Sequence, residues 1–248
     1  TYHKKIPHAA ITSEDAMMIS RISKRGQKVV LKLNMDGKFV EDRWSRNIIA
    51  ELKGSTYPEE IIVVGGHIDS WDVGQGAHDD AGGCVAAWRA VTLIKELGLK
   101  PRRTIRIVLW TNEENGGKGN ENYKNEHLSE LNNHILAIES DGGVFAPQGF
   151  GFTGSEKARD YILDIASLLD PIGAGTITNW GRAADVAPLN DNGVPVMSLN
   201  VDNSKYFWYH HTNADTFDKI DFREFNNCIA AMAIMSYVVS DMEKKLPR

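Results

Sequence analysis

The sequence predicts an α/β protein with a mixed, mostly parallel central sheet and helices on both faces. Apolar, β-branched runs of strand length alternate with longer segments in which apolar residues recur at helical spacing. This alternation is typical of helices packed on a sheet. Several of the runs also end in glycine beside histidine, aspartate or glutamate, and strand ends are where α/β sheets bind ligands.

Six runs have the length and composition of strands. They are residues 28–33, 47–52, 60–66, 103–111, 134–140 and 194–200. Four other segments are predicted to be helices: residues 81–97, 118–131, 155–169 and 221–243. Ser155 and Asp221 stand where N-cap residues of the last two helices are expected.

The N-terminal residues differ in composition and in segment length from the rest of the chain. They form short segments rich in charge, and the Asp36-Gly37 pair suits a tight hairpin turn. We therefore treat residues 1–42 as a separate piece and residues 43–248 as the main domain. The 248 residues, 42% of them hydrophobic, are enough for one such domain with a small appendage.

Composition argues against several classes of protein. A formal net charge of −5 gives no basic field, so nucleic acid and anionic membrane surfaces are not expected partners. The sequence contains no apolar run of about 18 residues that would span a bilayer. Cys84 and Cys228 are too few for a disulfide scaffold and are not spaced as a CxxC pair.

The segment GGHIDSWDVGQGAHDDAGG, residues 65–83, concentrates charge among glycines. His67 follows an apolar run and should lie at a strand end. Asp69 projects from the same face if the chain stays extended, so we expect its carboxylate to hold the imidazole in one tautomer. Asp79 and Asp80 precede a helix. The glycines are expected to allow close approach to a metal ion.

Other strand ends repeat this design. Glu113 and Glu114 follow the run 103–111, and adjacent side chains point in different directions, so one can bind a metal while the other faces a metal-bound water. Asp141 follows the run 134–140. Glu139 lies close by and is an alternative candidate for the same metal-ligand position. The paired histidines of YFWYHHTNADT are a fourth source of ligands. These segments together predict a site for metal ions.

In this order and spacing, the motifs GGHIDSW, DDAGG, NEEN, ESDGG and HHTNADT resemble the M28 family of co-catalytic zinc aminopeptidases and carboxypeptidases. The resemblance covers about residues 47–248 and is strongest to a carboxypeptidase subfamily that acts on small peptides. Residues 1–42 resemble the end of a protease-associated domain that this subfamily inserts into its catalytic domain. The resemblance implies a processed or truncated chain whose first catalytic segment lies upstream.

The resemblance implies two zinc ions. His67 and Asp141 would hold one ion, Glu114 and His211 the other, and Asp79 would bridge them. Imidazole and carboxylate ligands without thiolate agree with zinc, though not uniquely.

The resemblance also assigns roles in catalysis. Glu113 would be the general base that takes a proton from water and returns it to the departing amine. Many relatives have a tyrosine near the reacting carbonyl, in some immediately before the last histidine ligand. His210 occupies that position here and is expected to donate the same hydrogen bond. In the loop 179–195, Arg182 and Asn179 are candidates to meet a substrate terminus.

The sequence thus predicts a metallo-exopeptidase of dipeptidase or carboxypeptidase type, acting on small peptides with free ends. By the same resemblance it would be a secreted or lysosomal homodimer. Three alternatives stay open: a single-zinc acyltransferase like glutaminyl cyclase, a non-catalytic binding protein of the same fold, and an inert fragment. The presence of every expected ligand favours the peptidase.

Overall fold

The computed structural model describes residues 6–38 and 40–248, and the chain divides into two units between Trp44 and Ser45. The first unit contains helix α1, Ser13–Lys24, which the sequence analysis did not predict. Thr12 caps it, because its hydroxyl accepts a hydrogen bond from the backbone N–H of Asp15 at 3.1 Å. No residue of α1 is buried.

The strand predicted at residues 28–33 is wrong. This segment is irregular, and Val30 and Leu31 are 77% and 63% exposed. β-branched residues favour a strand only where a neighbouring strand and a packed face receive them. No strand of the described residues flanks Asp36-Gly37, so the predicted hairpin is wrong as well, although Phe39 lies outside the described residues.

The second unit is built on a sheet of seven strands. They are β1 Ile48–Leu52, β2 Tyr57–His67, β3 Arg103–Trp110, β4 His134–Glu139, β5 Pro147–Thr153, β6 Thr176–Thr178 and β7 Val196–Val201. Their order is β1-β3-β2-β4-β7-β5-β6, with β1/β3 and β5/β7 antiparallel and the other neighbours parallel. The predicted mixed, mostly parallel sheet is confirmed.

The helices of this unit connect and cover the strands. They are α2 Gly82–Glu96, α3 Lys118–Glu126, α4 Glu156–Ala166, α5 Ala187–Asn190, α6 Tyr206–Tyr209 and α7 Phe222–Asp241. Both predicted caps are confirmed: Ser155 accepts from the N–H of Ala158, and Asp221 accepts from those of Arg223 and Glu224. The helices predicted over 118–131 and 155–169 end early and continue as 3-10 turns. No helix in the described part of the chain has the length and hydropathy needed to cross a membrane.

Strand β2 separates two hydrophobic cores. Ile62 and Val64 point into a large core that includes residues of α2, α4 and α7. Ile61 and Val63 point to the other face, where Tyr123 of α3 and Leu189 of α5 pack. Period-two alternation along a strand buried on both faces produces this arrangement. The predicted helices on both faces are confirmed, and the buried β2 holds its last residue, His67, in a fixed place.

A buried polar group lies where β4 begins. His134 Nδ1 is 3.1 Å from the carbonyl oxygen of Glu130, and His134 Nε2 is 2.9 Å from the hydroxyl of Tyr123. That hydroxyl accepts a hydrogen bond from Arg106, so its own proton is directed to Nε2. Burial lowers the pKa of His134 to about 4, which keeps the imidazole neutral.

Candidate metal centre

The predicted site residues meet at one edge of the sheet. His67 ends β2, Glu113 and Glu114 follow β3, and Asp141 follows β4. These three strands are parallel neighbours, so their carboxyl ends lie side by side. The turn after β2 adds Asp79, and the segment after α6 adds the paired histidines.

His67 lies at the centre of one half of the site. Its Nε2 is 3.1 Å from Asp141 Oδ1 and 3.2 Å from Asp79 Oδ1, and the ring is almost fully buried. Its Nδ1 is 2.8 Å from the backbone carbonyl oxygen of Asp69. Since a carbonyl oxygen can only accept, Nδ1 carries the proton in the neutral ring, and Nε2 faces the carboxylates with its lone pair.

The contact between Asp69 and His67 differs from the predicted one. The carbonyl oxygen of Asp69, not its carboxylate, contacts the imidazole. The carboxylate instead accepts a hydrogen bond from the backbone N–H of Glu113 at 3.1 Å. The chain turns after His67, so the extended geometry behind the prediction ends there. Asp69 therefore links the ends of β2 and β3.

The electrostatics of this half favour a positive charge. Burial lowers the pKa of His67, but hydrogen bonds to Asp141 and Asp79, together with the charge of Asp80, raise it well above its usual value. Several carboxylates around one imidazole thus form a pocket with a strongly negative electrostatic potential.

The other half of the site forms around His211. Its Nε2 is 3.0 Å from Glu114 Oε2 and 3.3 Å from Asp79 Oδ2. Asp79 thus presents one carboxylate oxygen to His67 and the other to His211. The His210 ring stacks on that of His211 with centroids 3.6 Å apart, and His210 Nε2 is 3.5 Å from Asp79 Oδ2.

Three overlapping groups place potential ligand atoms within 4.8 Å of one another. They are His67–Asp79–Glu114, His67–Asp80–Asp141 and Asp79–His210–His211. Among the described residues, Asp79 Oδ2 and Glu114 Oε1 are buried oxygens without a hydrogen-bond partner. Such orphaned acceptors are costly unless a cation satisfies them. The donor set of imidazole nitrogen and carboxylate oxygen therefore fits divalent metal ions.

Comparison with known proteins identifies the family. The model of Peptidase family M28 matches residues 47–236. The chain belongs to the M28 peptidases. Carboxypeptidase Q from Homo sapiens is 48% identical over 244 residues, which are 98% of this chain and 52% of the human protein. The chain thus spans about half the length of the curated relatives that it matches.

Solved structures agree with this membership. A peptidase M28 precursor from Shewanella amazonensis superposes with a TM-score of 0.90 at 37% identity, over 94% of this chain and 53% of that one. A zinc aminopeptidase from Bacillus subtilis gives a TM-score of 0.65 at 20% identity, over 80% of this chain and 51% of that one. At that lower identity the likeness shows the fold.

Two buried aspartates, with no role predicted from the sequence, hold the backbone beside the candidate ligands. Asp80 accepts hydrogen bonds from the backbone N–H groups of His67 and Gly83, at 3.0 and 3.1 Å. Asp215 accepts from those of His78 and Asp79, at 2.8 and 3.1 Å. Both occur in the motifs DDAGG and HHTNADT, but these motifs predict a function only for their neighbours.

The glycines beside the site make room for Asp80. A Cβ atom at Gly66 would collide with the Asp80 carboxylate, and one at Gly83 would collide with the same carboxylate and with the carbonyl oxygen of Ser140. The sequence predicts that these glycines allow close approach to a metal ion; in the structure the groups that approach them are the Asp80 carboxylate and the Ser140 carbonyl group.

Glu113 is half-buried beside the candidate metal centre. Burial raises its pKa, and the negative charge of Asp141 raises it further. Glu139, the competitor of Asp141, is fully buried, and its Oε2 accepts a hydrogen bond from the N–H of Val186 at 2.9 Å. Glu139 is in none of the three ligand groups, whereas Asp141 is.

Tyr206 is a further residue near the site that the sequence analysis left unassigned within the aromatic run. Its ring centroid is 4.8 Å from that of His210. Burial raises the pKa of its hydroxyl, and the charges of Asp79 and Asp141 add to the effect. No motif in the sequence separates Tyr206 from Tyr209. Both pack against the core, and Tyr209 also stacks with His78.

Proposed function

We propose that this M28 chain is a di-zinc exopeptidase that hydrolyses small peptides, notably dipeptides with free termini. The observation that carries the proposal is the position of Asp79, whose two oxygens face His67 and His211 on opposite sides. Such a carboxylate suits a bridge between two ions. The similarity to carboxypeptidase Q supports the substrate class, and the fold shared with a zinc aminopeptidase supports the choice of metal.

His67 and Asp141 would hold one ion, Glu114 and His211 the other, with Asp79 between them. Bound zinc ions would lower the pKa of a water molecule and polarise the carbonyl group of the substrate. Asp69 contributes indirectly, because its carbonyl oxygen fixes the tautomer of His67.

The side chains around the ions would carry the proton transfers. Glu113 would accept the proton of the attacking water and deliver it to the departing amine. Its raised pKa makes it a better proton acceptor than an ordinary glutamate when it is ionised. Burial lowers the pKa of His210, so its imidazole is more readily neutral and can donate one N–H to the oxyanion.

We also propose, from the similarity to carboxypeptidase Q, a homodimer that is secreted or lysosomal. The alternatives are a single-zinc acyltransferase like glutaminyl cyclase, a binding protein and an inert fragment. They differ from the peptidase in metal stoichiometry or in turnover, so one titration distinguishes them.

In that titration, zinc is added stepwise to metal-depleted chain while zinc binding and hydrolysis of an unblocked dipeptide are both measured. We expect activity to saturate near two ions per chain. Glu113→Gln should keep zinc binding and lose about 10²- to 10⁴-fold in kcat, as expected for loss of a general base. Glu126→Gln, an exposed glutamate on α3, is the control and should match the parent chain.

Saturation at one ion would favour the acyltransferase reading. Zinc binding without hydrolysis would point to a binding protein or an inert fragment. A chain that binds no zinc would refute the site itself.

A further inference from the structure

A cavity of about 310 Å³ opens beside Glu113. One wall is the loop at Gly116 and Gly117 and the start of α3, and the other is α5 with the preceding Arg182. None of the residues in the three groups of potential metal ligands lines this cavity. The cavity therefore adjoins Glu113, the proposed general base, without including the potential metal ligands.

Arg182 is the positively charged residue of this lining. Its Nη2 is 3.0 and 2.9 Å from the two carboxylate oxygens of Asp191, which also lines the cavity. Within the part of the chain that the structure describes, Nε and Nη1 make no hydrogen bond. The ion pair therefore fixes the guanidinium in place and leaves donors for a second anion.

Two of the three carboxylates that line the cavity, those of Asp191 and Glu121, are already paired. Glu121 Oε2 is 2.7 Å from the Nζ of Lys124, one helical turn further along α3. Asp191 is 62% exposed, so solvent screens its charge. Glu113, the third carboxylate of the lining, repels an entering anion until it takes the proton of the attacking water, so Arg182 attracts the anion most strongly after that proton transfer.

We propose that Arg182 binds the C-terminal carboxylate of the substrate and so determines specificity for peptides with a free C-terminus. The inference rests on the proposed function. Glu113 returns a proton to the departing amine, so the leaving residue must remain next to Glu113. In a dipeptide a single Cα separates that nitrogen from the terminal carboxylate, which brings the carboxylate into the adjoining cavity. Arginine suits this task because its planar N–H donors match carboxylate oxygens.

The test compares Ala-Ala with its C-terminal amide as substrates of the zinc-loaded chain. Arg182→Ala should lower kcat/KM for Ala-Ala about 10- to 100-fold, mainly through KM, the range expected for a lost charge-assisted hydrogen bond. The amide should change less than about threefold, because it presents no charge to Arg182. Arg182→Lys should restore part of the loss.

Arg89→Ala is a matched control. Arg89 also pairs through Nη2 at 2.9 Å, with Glu96, and its side chain is 36% exposed against 35% for Arg182. It lies on α2, outside the cavity lining. Its removal should leave both substrates unaffected.

Equal losses on Ala-Ala and the amide, or no loss on either, would overturn the assignment of Arg182. A parent chain that hydrolyses the amide faster than Ala-Ala would also overturn the assignment of Arg182, but it would still support the proposed peptidase activity. If the parent chain hydrolyses neither substrate, the proposed function fails, and calorimetric Kd values for the two peptides then test the cavity. Tighter binding of Ala-Ala that Arg182→Ala abolishes would support the cavity, and equal binding would refute it.

Discussion

Replacing Asp215 with asparagine tests whether the hydrogen bonds from Asp215 stabilise the turn that carries Asp79. The Asp215 carboxylate is only 2% exposed and accepts two backbone N–H bonds, at 2.8 and 3.1 Å. An asparagine of the same shape can accept one of them and would place its own N–H₂ against the other. Losing one hydrogen bond to a buried charge costs about 1.5–3 kcal/mol. For a chain of this size, that corresponds to a fall in Tm of about 3–12 °C.

Thermal and urea unfolding of the zinc-free chain measure this loss directly. Zinc affinity, measured by competition with a chelator, should fall about 10- to 100-fold, because Asp215 fixes the backbone of a proposed ligand. Asp218→Asn is the control, since Asp218 lies three residues away but is exposed and pairs with Lys219. The reasoning is refuted if Asp215→Asn and Asp218→Asn have the same Tm and the same zinc affinity.

Three further predictions concern other parts of the molecule. The pKa of His134 falls from 6.5 to about 4 on folding, so the unfolded chain binds more protons between these values. Stability should therefore decrease by about 3 kcal/mol as the pH drops from 6.5 to 4, and His134→Gln should flatten this dependence in urea unfolding; an unchanged profile contradicts it. His210→Phe should lower kcat about 10²- to 10³-fold while zinc binding is retained. Undiminished turnover would show that another group, such as Tyr206, donates the hydrogen bond to the oxyanion. Gly83→Ala should reduce both the Tm and the zinc affinity, because the added Cβ atom collides with the Asp80 carboxylate and the Ser140 carbonyl oxygen. An unchanged Tm would contradict this, because it would show that these groups shift at no cost in stability.

The centre of the sheet could be predicted because its strands are long, apolar and buried on both faces. β2, β3 and β4 satisfy all three conditions, and each was predicted to within a few residues. β5 and β6 could not. β5 begins with a proline and contains two glycines, and β6 has three residues and lies at the sheet edge. The opposite error at residues 28–33 has the same origin, since composition alone does not supply a partner strand.

The residues proposed to bind metal could be predicted from the sequence because they stand at strand ends or within motifs of recognisable order and spacing. Their supporting residues could not, because support depends on contacts between distant segments. Asp215 reaches the N–H of His78 across 137 positions of the chain. Asp69 shows the limit at short range too: the residue was named correctly, but the atom that contacts His67 depends on how the chain turns after β2.

The glycines of the site show how sequence and structure assign different causes to the same pattern. Charge clustered with glycine suggests ions that need space, yet the space at Gly66 and Gly83 is filled by the carboxylate of Asp80. That carboxylate in turn accepts the backbone N–H of His67. A side chain at either glycine would displace Asp80, and the displacement would pass to His67 through this hydrogen bond. The glycines therefore act on the candidate metal centre indirectly, through Asp80 and His67, and for this reason the Tm and the zinc affinity should fall together in Gly83→Ala.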